Sequence, residues 1–153
     1  MKTQTGRRRW LAAGAAVTVL AGAGVVYGLP SASAATVDTA ATYVFVNRHS
    51  GKAMDLYNWS TADNAPVNQW TRNDLAVQQW RFIDAGGGFY QVRSVHSGKI
   101  LELPSAANGT QPVQNTDNGS PRQQFRLQDS TGGYVRFVNR NNRQSRIGTS
   151  AAP

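Results

Sequence analysis

Apolar residues in this chain recur in short runs that alternate with polar residues, and turn-forming residues separate the runs. After residue 34 the first group predicts four strands, over residues 43–47, 53–56, 66–70 and 80–84. The glycine run at residues 86–88 supplies the backbone freedom that a tight turn requires. No stretch of this part of the chain holds a helical period, so the pattern predicts an all-β domain.

The sequence repeats itself internally. His-Ser-Gly-Lys occurs at residues 49–52 and again at residues 96–99. Sliding the chain against itself by about 45 to 47 residues aligns much more, including Gln-Gln-Trp-Arg at 78–81 with Gln-Gln-Phe-Arg at 123–126. A third copy begins at Gly133, and its pattern fades after Asn141. The predicted copies span residues 42–84, 88–129 and, incompletely, 133–153.

Many short strands at even spacing are typical of sandwiches, barrels and related closed β architectures. Three copies of four strands each narrow this choice to a β-trefoil whose third repeat is incomplete. An incomplete repeat leaves strand edges unpaired and apolar side chains facing water, which favours self-association. The alternative is that the chain is a truncated, non-binding remnant of an ordinary domain.

Two motifs carry a family resemblance. Ser-Gly-Lys-x-x-Asp at residues 50–55, followed by Gln-x-Trp at residues 78–80, resembles the ricin B-type lectin family of β-trefoils. The resemblance covers residues 42 to about 140. It implies that Trp80 and its counterpart Phe125 pack in a shared core. It also implies that the His-Ser-Gly-Lys turn delivers each copy's second strand to a sugar-facing side, and that the domain binds carbohydrate without a cofactor.

The same resemblance implies a sugar site in the first copy. Its carbohydrate-binding residues would be the carboxylate Asp55, the strand amide Asn68, the stacking ring Trp70 and the supporting amide Gln78. A carboxylate accepts hydrogen bonds from adjacent sugar hydroxyls, while an aromatic ring covers the C–H face of the sugar. The structural alternative is that Asp55 caps its turn and Trp70 is ordinary packing.

One position of the first copy departs from the family pattern. Val77 stands where many sugar-binding members have asparagine, and valine neither donates nor accepts a hydrogen bond. A hydrogen bond worth about 0.5–1.5 kcal/mol is therefore expected to be missing, unless Asn73 or Asp74 in the adjoining loop replaces it.

The second copy keeps fewer of these groups. There Gln114 aligns with Asn68, while Thr116 aligns with Trp70 and provides no stacking ring. In the third copy Ile147 aligns with Asp55, so no site is expected there. The resemblance therefore implies only a weaker second site, consisting of Glu102, Gln114 and Gln123.

The first 34 residues have the marks of an export signal. A basic head, which ends in Arg7-Arg8-Arg9, precedes an uncharged Ala/Gly/Val stretch and the small-residue cleavage site Ala32-Ser33-Ala34. The arginines also fit the twin-arginine pattern. We therefore expect a signal peptide at residues 1–34 and a secreted, extracellular domain at residues 35–153 that has no membrane attachment after cleavage. The alternative is an uncleaved anchor.

Charge and composition exclude several classes of function. The chain has a net charge of +8, but four of its sixteen basic residues lie in the predicted signal, which leaves twelve against eight acidic residues. This small excess does not predict nucleic-acid binding, which needs a basic face over many contacts. The absence of cysteine excludes disulfides and thiolate metal sites.

The sequence predicts a binding module rather than an enzyme. Its carboxylates are scattered singly through turns, and His49 and His96 occupy equivalent positions of separate copies, so neither a catalytic pair nor a metal site is expected. The predicted function is that of a secreted lectin module for galactose- or xylan-type glycans. The alternative is a sugar-blind β-trefoil that binds a protein partner.

Overall fold

The computed structural model describes residues 37–141 and the backbone of residues 146–147. The predicted signal peptide and the rest of the predicted third repeat lie outside the described residues. The strands of the described part are β1 (Ala53–Leu56), β2 (Ala65–Trp70), β3 (Trp80–Asp84), β4 (Tyr90–Ser94), β5 (Ile100–Glu102), β6 (Val113–Asn115), β7 (Phe125–Ser130), β8 (Tyr134–Asn139) and β9 (Arg146–Ile147).

Between the strands lie single turns of 3-10 helix, at Tyr57–Trp59, Ala76–Gln78, Pro121–Gln123 and Thr131–Gly133. The described residues contain no α-helix, so the all-β prediction is confirmed. No helix within residues 37–141 is long and apolar enough to span a membrane.

Three of the four strands predicted for the first repeat are present with nearly the predicted bounds. The fourth, residues 43–47, is not a continuous strand. Tyr43 forms an isolated bridge with Trp80 of β3, and Val46 forms another with Ala53 of β1. The segment thus changes partner midway, so neither ladder extends along it.

All strand pairs are antiparallel, and their order is β1-β2-β6-β5-β4-β7-β8-β9, with β3 pairing on β4. The last strand of each repeat pairs with the first strand of the next, as β3 does with β4 and β7 with β8. Strands β2 and β6 add a direct contact between the first two repeats. The copies therefore share one sheet system, as in a β-trefoil.

The Gln-x-Trp ring and its counterpart occupy the core, as predicted. Trp80 and Phe125 are both fully buried, and the Trp80 indole N–H donates to the Met54 carbonyl at 3.3 Å. Phe82 and Phe137 belong to the same cluster. Burying such a ring contributes about 2–3 kcal/mol, so these side chains are structural.

Each His-Ser-Gly-Lys string forms a tight turn. Gly51 and Gly98 have φ angles of 66° and 74°, a region that glycine adopts without steric cost. Their amides donate to the carbonyls of Asn47 and Ser94 at 2.9 and 3.0 Å. The turn predicted from the repeated string is therefore present in both copies.

The register of β8 and β9 shifts the predicted alignment of the third repeat by one residue. Val46 bridges Ala53 in the first repeat, and Val138 pairs with Arg146 in the third. Ile147 thus corresponds to Met54, and the position equivalent to Asp55 falls at residue 148, outside the described residues.

Candidate functional site

A buried glutamine holds the candidate carboxylate of the first repeat. The Nε2 of Gln78 donates to Asp55 Oδ2 at 2.9 Å and to the Thr71 carbonyl at 3.0 Å. Its Oε1 accepts a hydrogen bond of 2.8 Å from the amide of Asn73. Gln78 is fully buried and its polar atoms are satisfied, so it fixes the orientation of Asp55.

The register of β1 and β2 brings three predicted residues to one face of the hairpin. Asp55 pairs with Asn68, and Ala53 pairs with Trp70. Residues two apart on a strand, and residues directly opposite each other, share a face, so Asp55, Asn68 and Trp70 lie together. Such diagonal neighbours are separated by about 7–8 Å. The Trp70 side chain is 63% exposed and is available for stacking.

A residue that the sequence analysis missed lies at the rim of this face. Gln111, from the second repeat, donates through Nε2 to the Val67 carbonyl at 2.8 Å and to Asn68 Oδ1 at 3.4 Å. The contact orients the Asn68 amide. Because it joins two repeats, no motif within one repeat indicates it.

Val77, which stands where many sugar-binding family members have asparagine, is part of the core. Val77 is buried in the hydrophobic core. The two expected substitutes are engaged in the adjoining loop, because Asn73 Oδ1 accepts from the Leu75 amide at 3.0 Å and Asp74 Oδ1 lies 2.7 Å from Arg72 Nε. The polar groups of the first site are therefore those of Asp55 and Asn68, with Gln78 behind them.

The second repeat reproduces the support of the carboxylate. Gln123 Nε2 donates to Glu102 Oε2 at 2.9 Å and to the Thr116 carbonyl at 3.0 Å, while its Oε1 accepts from the Asn118 amide at 3.1 Å. Unlike Asp55, Glu102 is buried. The longer acid is thus drawn into the fold and offers less surface to a ligand.

Gln114 does not join Glu102 and Gln123. It pairs with Leu101, the neighbour of Glu102, and so faces the other side of the hairpin. Its side chain is fully buried and accepts a hydrogen bond of 2.6 Å from the Ser97 hydroxyl. Its Nε2 donates to two carbonyls of the first repeat, those of Ser60 and Ala62, at 2.9 Å each. Gln114 therefore holds the two repeats together.

The Ser97–Gln114 contact also corrects the alignment of the copies. In the first repeat the equivalent Ser50 hydroxyl donates to Gln69 Oε1 at 2.7 Å. Gln114 thus matches Gln69 rather than Asn68. By the same register the counterpart of Trp70 is Asn115, so the predicted alignment of Trp70 with Thr116 is wrong by one residue.

Asn115, the counterpart of Trp70, makes a contact between the first two repeats. Its Oδ1 accepts a hydrogen bond of 2.8 Å from the amide of Asn64, in the loop that follows β1. In the same loop Asp63 lies 2.7 Å from both Lys99 Nζ and the Thr116 amide. These donors, Lys99 foremost, hold the pKa of Asp63 below its ordinary value. The second repeat therefore has no stacking ring at this position.

The histidines lie in the two equivalent turns. His49 is exposed, whereas His96 Nε2 lies 3.0 Å from the Trp59 carbonyl and its ring meets the Trp59 ring edge-on at 5.2 Å. Within the described residues, no three His, Cys, Asp or Glu side chains are grouped closely enough to hold a metal ion.

The strand order and the paired Gln–carboxylate units define a β-trefoil domain of the lectin type. A model of the family described as ricin-type β-trefoil lectin domain-like matches residues 32–70 and 76–147. The chain therefore belongs to the ricin-type β-trefoil lectin domain-like family. No curated protein sequence matches it.

Solved structures share the fold. A designed threefold-symmetric protein, ThreeFoil, is 34% identical, with 72% of this chain and 91% of that chain covered and a TM-score of 0.65. An exo-β-1,3-galactanase from Clostridium thermocellum is 32% identical over 70% of this chain and 24% of its own, also with a TM-score of 0.65. The BEL β-trefoil, 17% identical with 83% of each chain covered and a TM-score of 0.58, shows the fold alone.

Proposed function

We propose that this protein is a secreted carbohydrate-binding module that recognises galactose- or xylan-type glycans through its first repeat. The observation that carries the proposal is the placement of Asp55, held by Gln78, on the same face as the exposed ring of Trp70. Secretion is part of the proposal and is supported by the signal-like features of residues 1–34.

The arrangement suits the two surfaces of a sugar ring. Because Gln78 engages Asp55 Oδ2, the other carboxylate oxygen has no protein partner among the described residues and can accept from sugar hydroxyls. Asn68 adds an amide beside it, and Trp70 covers the C–H face. A single shallow site of this kind predicts a dissociation constant near millimolar, or a binding free energy of about 4 kcal/mol.

Galactose-containing glycans are the first class to test. The galactanase that is 32% identical to this chain acts, by its name, on β-1,3-galactan. The likeness covers about a quarter of the length of that enzyme. Xylan remains the second class, because sugar hydroxyls and C–H faces are common to both polymers.

Self-association is a further element of the proposal, because several weak sites together raise retention on a polymer. Gln114 is covered by the loop of the preceding repeat, whereas the equivalent Gln69 is exposed and its side chain accepts a hydrogen bond from the Ser50 hydroxyl. By the repetition of the fold, the position over Gln69 belongs to the third repeat. We propose that a second copy of the chain covers the exposed position of Gln69. Sedimentation that finds only monomers at the concentrations used for binding would overturn the proposed self-association.

Retention on immobilised galactan and xylan tests the main proposal. Trp70→Ala should abolish retention and leave the melting temperature nearly unchanged, because the ring is largely exposed. Tyr134→Ala is the matched control, since it removes another exposed ring from a different hairpin and should bind as the wild type does.

The other outcomes separate the alternatives. Wild-type protein that binds a protein partner, but no glycan, would indicate a sugar-blind trefoil, and a folded protein that binds neither would indicate a remnant. The proposal is also one of binding without catalysis. Hydrolysis of either polymer by the purified protein, lost in Asp55→Asn, would overturn that part.

A further inference from the structure

Two large aromatic side chains stand exposed in the turn that follows the candidate carboxylate. Tyr57 is 56% exposed and Trp59 is 51% exposed. Both belong to the short turn Tyr57–Trp59, which begins where β1 ends. Neither has a counterpart in the second repeat, where the segment after Leu103 reads Pro-Ser-Ala-Ala-Asn. The repetition of the fold therefore does not require them.

The backbone of this turn adopts a conformation that its residues disfavour. Asn58 and Trp59 have φ angles of 51° and 55°, in the left-handed region. Asparagine tolerates this region, but a bulky residue such as tryptophan is an outlier there. Strained residues of this kind concentrate at binding and catalytic sites, where the surrounding structure holds them.

Contacts from the second repeat hold the strained turn in place. The rings of His96 and Trp59 meet at nearly a right angle, and His96 Nε2 forms a hydrogen bond with the Trp59 carbonyl. The neighbouring Ser60 carbonyl accepts from Gln114, and Asp63 is fixed by Lys99. The exposed rings are thus displayed on an anchored loop, so a ligand would not have to order that loop on binding.

The position of the turn continues the face of the first site. Met54 and Leu56 pack towards the core, and Leu56 is extended, so strand alternation puts Tyr57 on the same side as Asp55. Trp70 pairs with Ala53 at the opposite end of β1. Positions 53 and 57 are four residue steps apart along extended backbone, a span of about 14 Å. Asp55 and Asn68 lie between the two ends.

The strand pairing also fixes how this face is oriented relative to the second repeat. The start of β2 pairs with β6, so the end of the hairpin that carries Tyr57 borders the second repeat, and the end that carries Trp70 lies away from it. Trp59, in contact with His96, extends the aromatic surface towards that repeat. Rings and carboxylate therefore follow one another in the order Trp70, Asp55, Tyr57, Trp59.

We infer that Tyr57 and Trp59 form a second stacking platform, so that the first repeat binds a linear oligosaccharide along the hairpin rather than one terminal sugar. The inference rests on the proposed glycan-binding function and specifies its ligand class. One sugar ring contacts Trp70 and Asp55, and the following sugars lie against Tyr57 and Trp59. A single pyranose is too short to reach both ends of the face, so the second platform selects for chain length.

Titration with glycans of increasing length tests this inference. The probes are β-1,3-galacto-oligosaccharides and xylo-oligosaccharides of one to five sugars, added to the purified protein. We expect affinity to rise by about tenfold from the monosaccharide to the longer chains and then to level off. Tyr57→Ala should remove much of that gain and keep the affinity for the monosaccharide.

Trp59→Gly is the second variant, chosen because glycine adopts the left-handed conformation without strain. It should keep the fold, as judged by the melting temperature, and lose the gain with chain length. A purely structural role for Trp59 would not change the dependence on ligand length. Tyr134→Ala, an exposed ring on another hairpin, should leave both the affinity and the gain unchanged.

The outcomes distinguish this inference from the proposed function. Equal affinity for all lengths, or a gain that survives both Tyr57→Ala and Trp59→Gly, would overturn the second platform alone, provided that Trp70→Ala abolishes binding. Binding that survives Trp70→Ala would overturn the assignment of the site itself. Wild-type protein that binds no glycan of any length would overturn both.

Discussion

Gln78 Nε2 lies 2.9 Å from Asp55 Oδ2, and this bond joins the Ser-Gly-Lys-x-x-Asp and Gln-x-Trp motifs of the first repeat. The second repeat makes the same bond between Gln123 and Glu102, at the same distance. The glutamine of Gln-x-Trp, which is Gln-x-Phe in the second copy, is therefore buried and holds a carboxylate in both copies. Of these two described copies, the first places this carboxylate on the same face as an aromatic ring, whereas the second has Asn115 in place of that ring.

Replacing either of the two buried glutamines should lower the stability of the fold by a similar amount, but only one replacement should weaken glycan binding. Gln78→Leu and Gln123→Leu each leave a carboxylate and a carbonyl without their donor, at a cost of about 1–3 kcal/mol in the free energy of unfolding. Only Gln78→Leu should weaken retention on galactan or xylan. Urea denaturation and retention assays check this, and equal loss of retention in both variants would contradict the assignment of the first repeat.

The matched glutamines Gln69 and Gln114 should differ in their effect on stability. Gln114→Ala removes a buried side chain that bonds to Ser97 and to two carbonyls of the first repeat, which should cost about 2–3 kcal/mol. Gln69→Ala, at an exposed position, should change the free energy of unfolding by no more than about 0.5 kcal/mol. Similar losses in urea denaturation would argue against the corrected register.

The Asp63 anchor should depend on pH. Lys99 and the Thr116 amide lower the pKa of Asp63 below 3.8, so the folded state favours the ionised acid. This stabilisation is fully present above pH 3.8 and is lost as the pH falls through the lowered pKa of the folded state. The difference in melting temperature between wild type and Asp63→Asn should be constant near neutrality and vanish in acid.

Melting curves from neutral pH to about pH 2 measure this difference. Lys99→Met provides the control, because it removes the main cause of the lowered pKa and should show the same convergence with wild type in acid. A difference that persists undiminished at the acid end would show that Asp63 stabilises the loop by some other means.

Alanine substitutions of two tryptophans in the first repeat should have opposite effects, one on stability and the other on glycan binding. Trp80 is fully buried, so Trp80→Ala should destabilise the fold by about 3–5 kcal/mol. Trp70→Ala removes a mostly exposed ring and should cost less than about 1 kcal/mol while abolishing glycan retention. Chemical denaturation beside the retention assay checks both. Strong destabilisation by Trp70→Ala would favour the packing interpretation of that ring.

The fold was predictable because the alternation of apolar and polar residues, and the Gln-x-Trp motif, can be recognised within a single repeat. Alternating apolar positions located β1 and β3, and the buried Trp80 and Phe125 followed from the Gln-x-Trp motif. The segment 43–47 was harder, because its two bridges run to different strands. A sequence pattern of period two shows that a segment is extended, but not that it changes partner midway.

The candidate site was predictable only within one repeat. Asp55, Asn68 and Trp70 share a face, and the buried Gln78 holds Asp55 from behind. Gln114 was misaligned because the loop before β6 shifts the spacing of the copies, and a one-residue shift in a strand turns a side chain to the opposite face. The contacts of Gln111 and His96 join different repeats, so no spacing within a copy indicates them.

The loop from Tyr57 to Asn64 belongs by sequence to the first repeat but is fastened to the second through Gln114, Asn115 and Lys99. An excised first repeat, transplanted into another scaffold or expressed by itself, would retain its carboxylate and its indole yet lose the fastening of this loop. The smallest unit that keeps this loop fastened is thus the adjoining pair of lobes, and single-lobe shuffling would yield a weaker binder.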